Sequence, residues 1–178
     1  MENFDQIALA LVIFVPLVGA ILAMFMPADR QKDVWYFAIV VAGLSLILSV
    51  YIFVRYDYGA GGFQFHDNYP WLPAPVDINL SLAVDGISAL LILLNGIILF
   101  GGVLISQTIV YRPRDFFVLL LALGAGVFGT FAVRDLFFLF FFYELAVLPM
   151  YLLIGVWGSS TDFRTFFRTK DYAAMKLF

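Results

Sequence analysis

Residues 136–157 read LFFLFFFYELAVLPMYLLIGVW. Glu144 is the one charged side chain in this otherwise almost wholly apolar stretch. An α-helix rises about 1.5 Å per residue, so about 20 apolar residues cross a hydrocarbon core that is roughly 30 Å thick. The stretch therefore predicts a transmembrane helix with an acid near its middle.

Four further segments have the length and apolar character of a transmembrane helix, namely residues 7–26, 34–54, 87–111 and 116–133. The backbone of each span must satisfy its own hydrogen bonds because the bilayer core contains no water, and the alternating pattern of a membrane barrel strand is missing. The sequence predicts an all-α polytopic membrane protein with about five transmembrane helices, forming a single membrane domain over residues 1–178.

Composition supports the same fold class and excludes several functions. Hydrophobic residues make up 63% of the chain and charged residues 13%, which leaves too little polar surface to coat a soluble domain. The lipid bilayer is therefore an expected partner. The net charge of -3 is small and no run of like charges occurs, so nucleic acid is not expected. The absence of cysteine excludes disulfides, thiolate zinc sites and iron–sulfur clusters.

The one long connection runs over residues 56–84, between the second and third spans. Apolar and polar residues alternate at 63–65 and again at 78–82, which predicts a short hairpin at the membrane interface. Tyr69 and Trp71 are suited to anchor this hairpin at the level of the lipid headgroups.

The lysines and arginines predict the orientation. An extracytoplasmic N-terminus leaves only Arg55 and Arg134 on the outer side and makes the connection 56–84 extracytoplasmic. It also makes residues 159–171 a cytoplasmic basic segment leading into a sixth span. The other basic residues then all lie on the inner side: Arg30, Lys32, Arg112, Arg114, Arg164, Arg168, Lys170 and Lys176.

Glu144 is the main candidate for a functional residue. It lies about 12 Å along the fifth span, near the bilayer midplane, where an acid costs roughly 2.5 to 3.5 kcal/mol on the insertion scale. Desolvation favours the neutral acid and so predicts a group that exchanges protons. Its neighbours three and four residues away on the helix carry no charge, so any charged partner must lie on another helix. These neighbours are Phe140, Phe141, Val147 and Leu148.

Other interpretations of this region remain open. Glu144 can instead stay protonated and hydrogen-bonded as a packing contact, or lie at a shallower depth in the bilayer than the hydropathy indicates. Pro149 denies a backbone N–H to Leu145, which favours a hydrated pocket beside the acid, although a purely structural kink is an equal explanation. Tyr143 is a supporting candidate for proton relay, with packing as its more usual role. Gly124, Gly126 and Gly129 are expected to permit close helix approach, with hinge motion as the alternative, and this face is also a candidate contact for partner helices.

The remaining polar residues indicate ordinary structural roles. Asp85 is expected to cap the third span, and the adjacent Arg134 and Asp135 to form an interfacial pair. His66 is the only histidine and lies in a loop, so the spans offer no histidine pair for haem. No phosphate-binding loop, nucleophile triad or metal-ligand spacing occurs. We therefore expect no cofactor and no metal in this chain.

Several motifs together resemble one family, subunit M of NADH:quinone oxidoreductase, which is the chain 4 type of antiporter-like subunit in complex I. They are LAVDGIS at 82–88, FYEL at 142–145, PMY at 149–151, GVWG at 155–158 and RTKDYAAMKLF at 168–178. The resemblance covers essentially the whole chain, and its last motif resembles the family's approach to a sixth span.

The resemblance implies a proton-translocating subunit of about fourteen spans, built from inverted repeats, of which this chain matches the N-terminal part. Glu144 matches the fifth-span glutamate, proposed to pass protons and to interact with a lysine on the seventh span. That lysine would lie beyond Phe178, so the chain is expected to be a fragment or to be completed by another chain. Lys176 is a supporting basic residue at the entry to the sixth span and does not take the seventh-span role.

The leading hypothesis is therefore a proton-translocating subunit of a bacterial inner-membrane complex I, with other membrane subunits as partners. As such a subunit it would be part of an oxidoreductase without holding a redox centre itself. The alternatives are a subunit of a cation/proton antiporter or membrane-bound hydrogenase, and a structural or assembly protein with no proton path.

Overall fold

The computed structural model describes residues 2–27, 30–72 and 78–158. The predicted basic segment 159–171 and Lys176 lie outside the described residues, as do the side chains of residues 1–6 and 70–78.

Within the described residues, five helices are long and apolar enough to cross a membrane. They are α1 (Glu2–Met24), α2 (Gln31–Arg55), α3 (Gly86–Ile105), α4 (Pro113–Ala132) and α5 (Leu136–Trp157). The predicted fold class is thus confirmed, and the chain is a multi-pass membrane protein.

The limits of α3 and α4 differ from the predicted spans. The third span was predicted to reach residue 111, but α3 ends at Ile105 and is followed by a 3-10 turn over Ser106–Thr108. The reason is local polarity, since Ser106 Oγ donates to the Gly102 carbonyl (2.7 Å) and the Gln107 carbonyl accepts from Gln31 Nε2 (2.9 Å). Helix α4 begins three residues before its prediction, at Pro113, where a missing N–H costs nothing in a first turn.

Helix α4 lies at the centre of the bundle and packs against α1, α3 and α5. Large apolar side chains that are fully buried fill this core, among them Ile13, Ile92, Leu121 and Phe128. Helix α2 packs on α1 and α3. Its buried Ser45 and Ser49 hydroxyls donate to carbonyls one turn earlier in the helix, so each is satisfied without a partner from another helix.

The connection between α2 and α3 forms an antiparallel hairpin of β1 (Gln64–Leu72) and β2 (Ile78–Val84), which confirms the predicted hairpin. Strand β2 contacts the connection between α4 and α5 at residues 133–135, here called the α4–α5 corner. Leu82 forms a β-bridge with Val133, and the Arg134 N–H donates to the Ser81 carbonyl (2.9 Å). The Arg134 guanidinium also lies 4.3 Å from the centre of the Phe63 ring. These contacts attach the hairpin to the end of the bundle where α4 ends and α5 begins. The headgroup anchoring by Tyr69 and Trp71 stays a prediction.

Asp85 caps α3, as its sequence position suggested, and accepts a hydrogen bond from the Ser88 N–H (2.7 Å). We expect Asp85→Ala to lower the free energy of unfolding in detergent by about 1 kcal/mol, since a first-turn donor loses its acceptor. Asp85→Asn retains an acceptor and is expected to lose clearly less. Equal losses in the two variants would contradict a capping role.

The same cap predicts a pH dependence. The hydrogen bonds from Ser88 hold the pKa of Asp85 below its ordinary value of 3.8. A carboxyl group with a lowered pKa in the folded state stabilises the fold above its unfolded pKa and loses this contribution as the pH falls through the folded value. The stability difference between wild type and Asp85→Ala should therefore be full at neutral pH and shrink below about pH 4.

Candidate functional site

One face of α5 packs against two glycines of α4, Gly126 and Gly129. Phe142 and Pro149, seven residues apart, are buried on this face. A Cβ atom added to Gly126 would lie only 2.6 Å from the Ala146 nitrogen and 2.8 Å from the Leu145 carbonyl carbon, and one added to Gly129 would overlap the Phe142 ring. The expected close approach at these glycines is confirmed, and the α5 backbone rests directly on α4.

This contact corrects one further expectation. Gly124, Gly126 and Gly129 are all buried, the first against Leu99 of α3 and the other two against α5. The glycine face of the fourth helix is therefore occupied by helices of the same chain and is not a surface for partner subunits.

Glu144 lies on the opposite, exposed side of α5. Successive helix residues are about 100° apart, which places Glu144 about 200° around the axis from the buried Phe142. Its surroundings are apolar or aromatic and are also exposed: Tyr143 at 53%, Phe141 at 54% and Leu148 at 60%. The acid therefore points away from the other four helices of the bundle.

The structure brings together only part of the predicted site. Tyr143 and Glu144 both lie on the exposed side of α5, whereas Pro149 is buried on the α4 side. The Leu145 carbonyl carbon lies against Gly126, so the backbone group that Pro149 leaves free belongs to the contact between α4 and α5. Pro149 and Glu144 thus lie on different faces, and Lys176 lies outside the described residues.

The basic residues of the described chain lie near the helix ends, far from Glu144 along the bundle axis. Arg30, Lys32, Arg112 and Arg114 lie at the end where α2 and α4 begin, and Arg55 and Arg134 lie at the other. Within residues 2–27, 30–72 and 78–158, no basic side chain therefore lies at the depth of the acid. The same residues contain no group of three histidine, cysteine, aspartate or glutamate side chains that could hold a metal.

Asn95 is a polar residue at mid-depth that the sequence reasoning missed. It lies in the middle of α3 and donates from Nδ2 to the Gly124 carbonyl of α4 (3.1 Å). A side-chain amide in an otherwise apolar span is the signal that could have identified it, because such a group needs a partner inside the protein. Its bond ties α3 to α4, next to the glycine contact with α5.

Comparison with known proteins relates the sequence to subunits of NAD(P)H-quinone oxidoreductases. No family model matches the chain. The sequence is 36% identical over 169 residues to NAD(P)H-quinone oxidoreductase chain 4 2 of Thermosynechococcus vestitus, covering 94% of this chain and 30% of the relative. It is 33% identical over 177 residues to chain 4-2 of Synechocystis, covering 99% and 30%. The chloroplastic chain 4 of Chara vulgaris is 33% identical over 169 residues, covering 94% and 32%.

A solved structure shares the fold. A chain of the membrane-bound sulfane sulfur reductase, an archaeal respiratory membrane complex, matches 97% of this chain with a TM-score of 0.69 and 21% identity. The match covers 33% of that chain. The present chain likewise spans about three-tenths of the length of the chain 4 relatives. Over almost its whole length, the chain is therefore similar in sequence to the chain 4 subunits of NAD(P)H-quinone oxidoreductases.

Proposed function

We propose that this chain forms part of a proton-translocating membrane subunit of an NAD(P)H-quinone oxidoreductase, with Glu144 as its proton-exchanging group. The family relationship supports the class of complex. The observation that carries the role of Glu144 is its place at the middle of α5, on the side that no other described helix covers.

An ionised acid on this face needs a partner from outside the described residues. Lipid tails offer neither a hydrogen bond nor a counter-charge, so facing lipid would cost the acid roughly 2.5 to 3.5 kcal/mol. A helix that presents a polar or basic group to Glu144 removes this cost. The exposed face of α5 is therefore the side on which we place that helix.

Such a partner also gives a mechanism for proton exchange. A unit positive charge about 4 Å from the carboxylate stabilises the ionised form by about 4 kcal/mol at an effective dielectric constant of 20. When the charge moves away, the acid takes up a proton, and when it returns, the acid releases one. Electron transfer takes place in other subunits of the complex and drives the movement of charge along the membrane arm.

The charge distribution supports an orientation with the N-terminus outside the cytoplasm in a bacterial inner membrane. Four basic residues of the described chain lie at the end where α2 and α4 begin, against two at the other end. Lysine and arginine accumulate on the cytoplasmic side of membrane proteins. The hairpin of β1 and β2 then lies on the extracytoplasmic side.

The test is Glu144→Gln in the assembled complex, with proton pumping and quinone reduction measured in parallel. We expect the number of protons moved per electron to fall at least tenfold, because glutamine cannot exchange a proton. Glu144→Asp keeps the acid on a shorter side chain and should retain partial pumping.

Asp33→Asn is the matched control, since it removes one carboxylate from an exposed pair with Arg30 (3.6 Å) at a helix end. It should leave pumping unchanged. Normal pumping in an assembled Glu144→Gln complex would refute the proposal. If Glu144→Gln prevents assembly, Glu144→Asp decides, since an assembled Glu144→Asp complex that pumps as well as the wild type would contradict the expected dependence on the position of the acid.

A further inference from the structure

A cleft opens at the end of the bundle where α1 ends and α4 begins. Its volume is about 390 Å³, and it lies between the last turn of α1, the first turn of α4 and the last turns of α5. Residues from these three helices line it, including Met24, Arg112, Arg114, Leu152, Val156 and Trp157. It lies at the opposite end of the bundle from the hairpin and is separate from Glu144.

The rim of the cleft has an excess of positive charge. Asp115 accepts from Arg112 Nε (2.8 Å) and Nη2 (2.7 Å) and from Arg114 Nε (3.1 Å). Two guanidinium groups therefore share one carboxylate, which leaves one net positive charge. These contacts use only part of the five N–H donors of each guanidinium. The remaining Nη donors can therefore donate hydrogen bonds to the oxygen atoms of a further anion.

Arg112 has an unusual backbone conformation. Its φ of 47° and ψ of 55° lie in the left-handed region, which is unfavourable for a residue with a side chain. Helix capping does not account for an arginine at this position, because its side chain makes no capping hydrogen bond. Glycine or asparagine would adopt the turn at lower cost. The Arg112 guanidinium instead pairs with Asp115 at the cleft.

Below the rim, the walls of the cleft are apolar and one of them is held rigidly. Trp157 donates from Nε1 to the Tyr111 carbonyl (2.8 Å), and its ring meets the Phe116 ring edge to face at a centroid distance of 5.5 Å. Met24 and Leu152 are 58% and 45% exposed. A charged rim above an apolar wall, at the end of membrane-spanning helices, matches the chemistry of a phospholipid, which has a phosphate next to acyl chains.

We propose that this cleft binds the headgroup of an anionic phospholipid. The phosphate accepts hydrogen bonds from Arg112 and Arg114, and an acyl chain lies along the apolar surface of Met24 and Leu152. The single excess positive charge matches a lipid with one net negative charge, such as phosphatidylglycerol, and does not match zwitterionic phosphatidylcholine. An anionic lipid in the cleft also bridges α1, α4 and α5.

The test measures lipid binding to the purified full chain in detergent, by native mass spectrometry with added phosphatidylglycerol or phosphatidylcholine. The wild type should bind phosphatidylglycerol at least tenfold more tightly than phosphatidylcholine. Arg112→Gln/Arg114→Gln should weaken phosphatidylglycerol binding at least tenfold and leave phosphatidylcholine unchanged. Asp115→Asn removes the competing carboxylate and should strengthen phosphatidylglycerol binding about threefold.

Arg30→Gln/Lys32→Gln is the matched control, because it removes two positive charges from the same end of the bundle outside the cleft. It should change binding less than twofold. A control that loses as much binding as the Arg112/Arg114 variant would show that diffuse surface charge attracts the lipid, and the proposal would fail. If the Arg112/Arg114 variant does not fold, Asp115→Asn decides, since unchanged or weaker binding there overturns the proposal.

Discussion

Gly126→Ala is expected to separate α5 from α4 and to destabilise the protein by about 1 to 3 kcal/mol, the usual cost of overpacking a well-packed contact. The added methyl group would lie 2.6 to 2.9 Å from three backbone atoms of α5, in Phe142, Leu145 and Ala146. Backbone atoms cannot rotate out of the way as the end of a side chain can. The two helices must therefore move apart along this contact.

Gly155→Ala is the matched control for this prediction. Gly155 also lies in α5, but a Cβ atom there would meet nothing within 4 Å. Alanine is the better helix former by about 1 kcal/mol, so this variant should be neutral or slightly stabilising. Unfolding in mixed detergent micelles measures both, and cross-linking between cysteines introduced into α4 and α5 measures the separation. A Gly126→Ala protein as stable as Gly155→Ala would contradict the close contact.

Leu82→Ala should detach the hairpin from the α4–α5 corner and destabilise the protein by about 2 to 5 kcal/mol, the range for removing a buried leucine side chain. Leu82 is fully buried and forms the β-bridge with Val133. The change leaves a cavity under β2 and weakens the support for the bond from the Arg134 N–H to the Ser81 carbonyl. Hydrogen exchange should accordingly become faster at Arg134 and in the strands.

Leu90→Ala makes the same chemical change at a position that is 55% exposed on α3. Removing an exposed side chain away from special contacts usually changes stability by less than 0.5 kcal/mol. The two variants together separate the packing of Leu82 from the general loss of an apolar side chain. Equal stability of the two variants would mean that the hairpin does not depend on its buried leucine.

The sequence was sufficient to predict the spans because length and apolar character are decided by the bilayer and do not depend on which helices pack together. The hairpin was predictable for a similar reason, since alternation at 63–65 and 78–82 marks strands locally. The end of α3 was not predictable, because residues 106–111 mix the polar Ser106, Gln107 and Thr108 with apolar residues such as Ile109 and Val110. Whether such residues stay helical depends on bonds such as that from Gln31 to the Gln107 carbonyl, which the sequence alone does not reveal.

For the candidate site, the sequence predicted the depth of Glu144 but not the direction in which it points. Helix α5 has phenylalanine or leucine on every side, so it lacks the polar stripe that reveals the outer face of a helix in a soluble protein. Its packing face is decided by the small residues of α4, and Gly126 and Gly129 select the side with Phe142 and Pro149. The grouping of Arg112, Arg114 and Trp157 was not predicted, because these residues are far apart in the sequence and come together only when the chain folds.

The attachment of α5 has a consequence for how the protein is made. Among the described elements, α4 alone makes extensive contact with α5, while α1 to α4 pack on one another. A chain that enters the membrane in order can thus close α1 to α4 into a bundle before α5 leaves the insertion machinery. Helix α5 then docks on a finished surface through backbone contacts, and its outward side stays open to helices that arrive later.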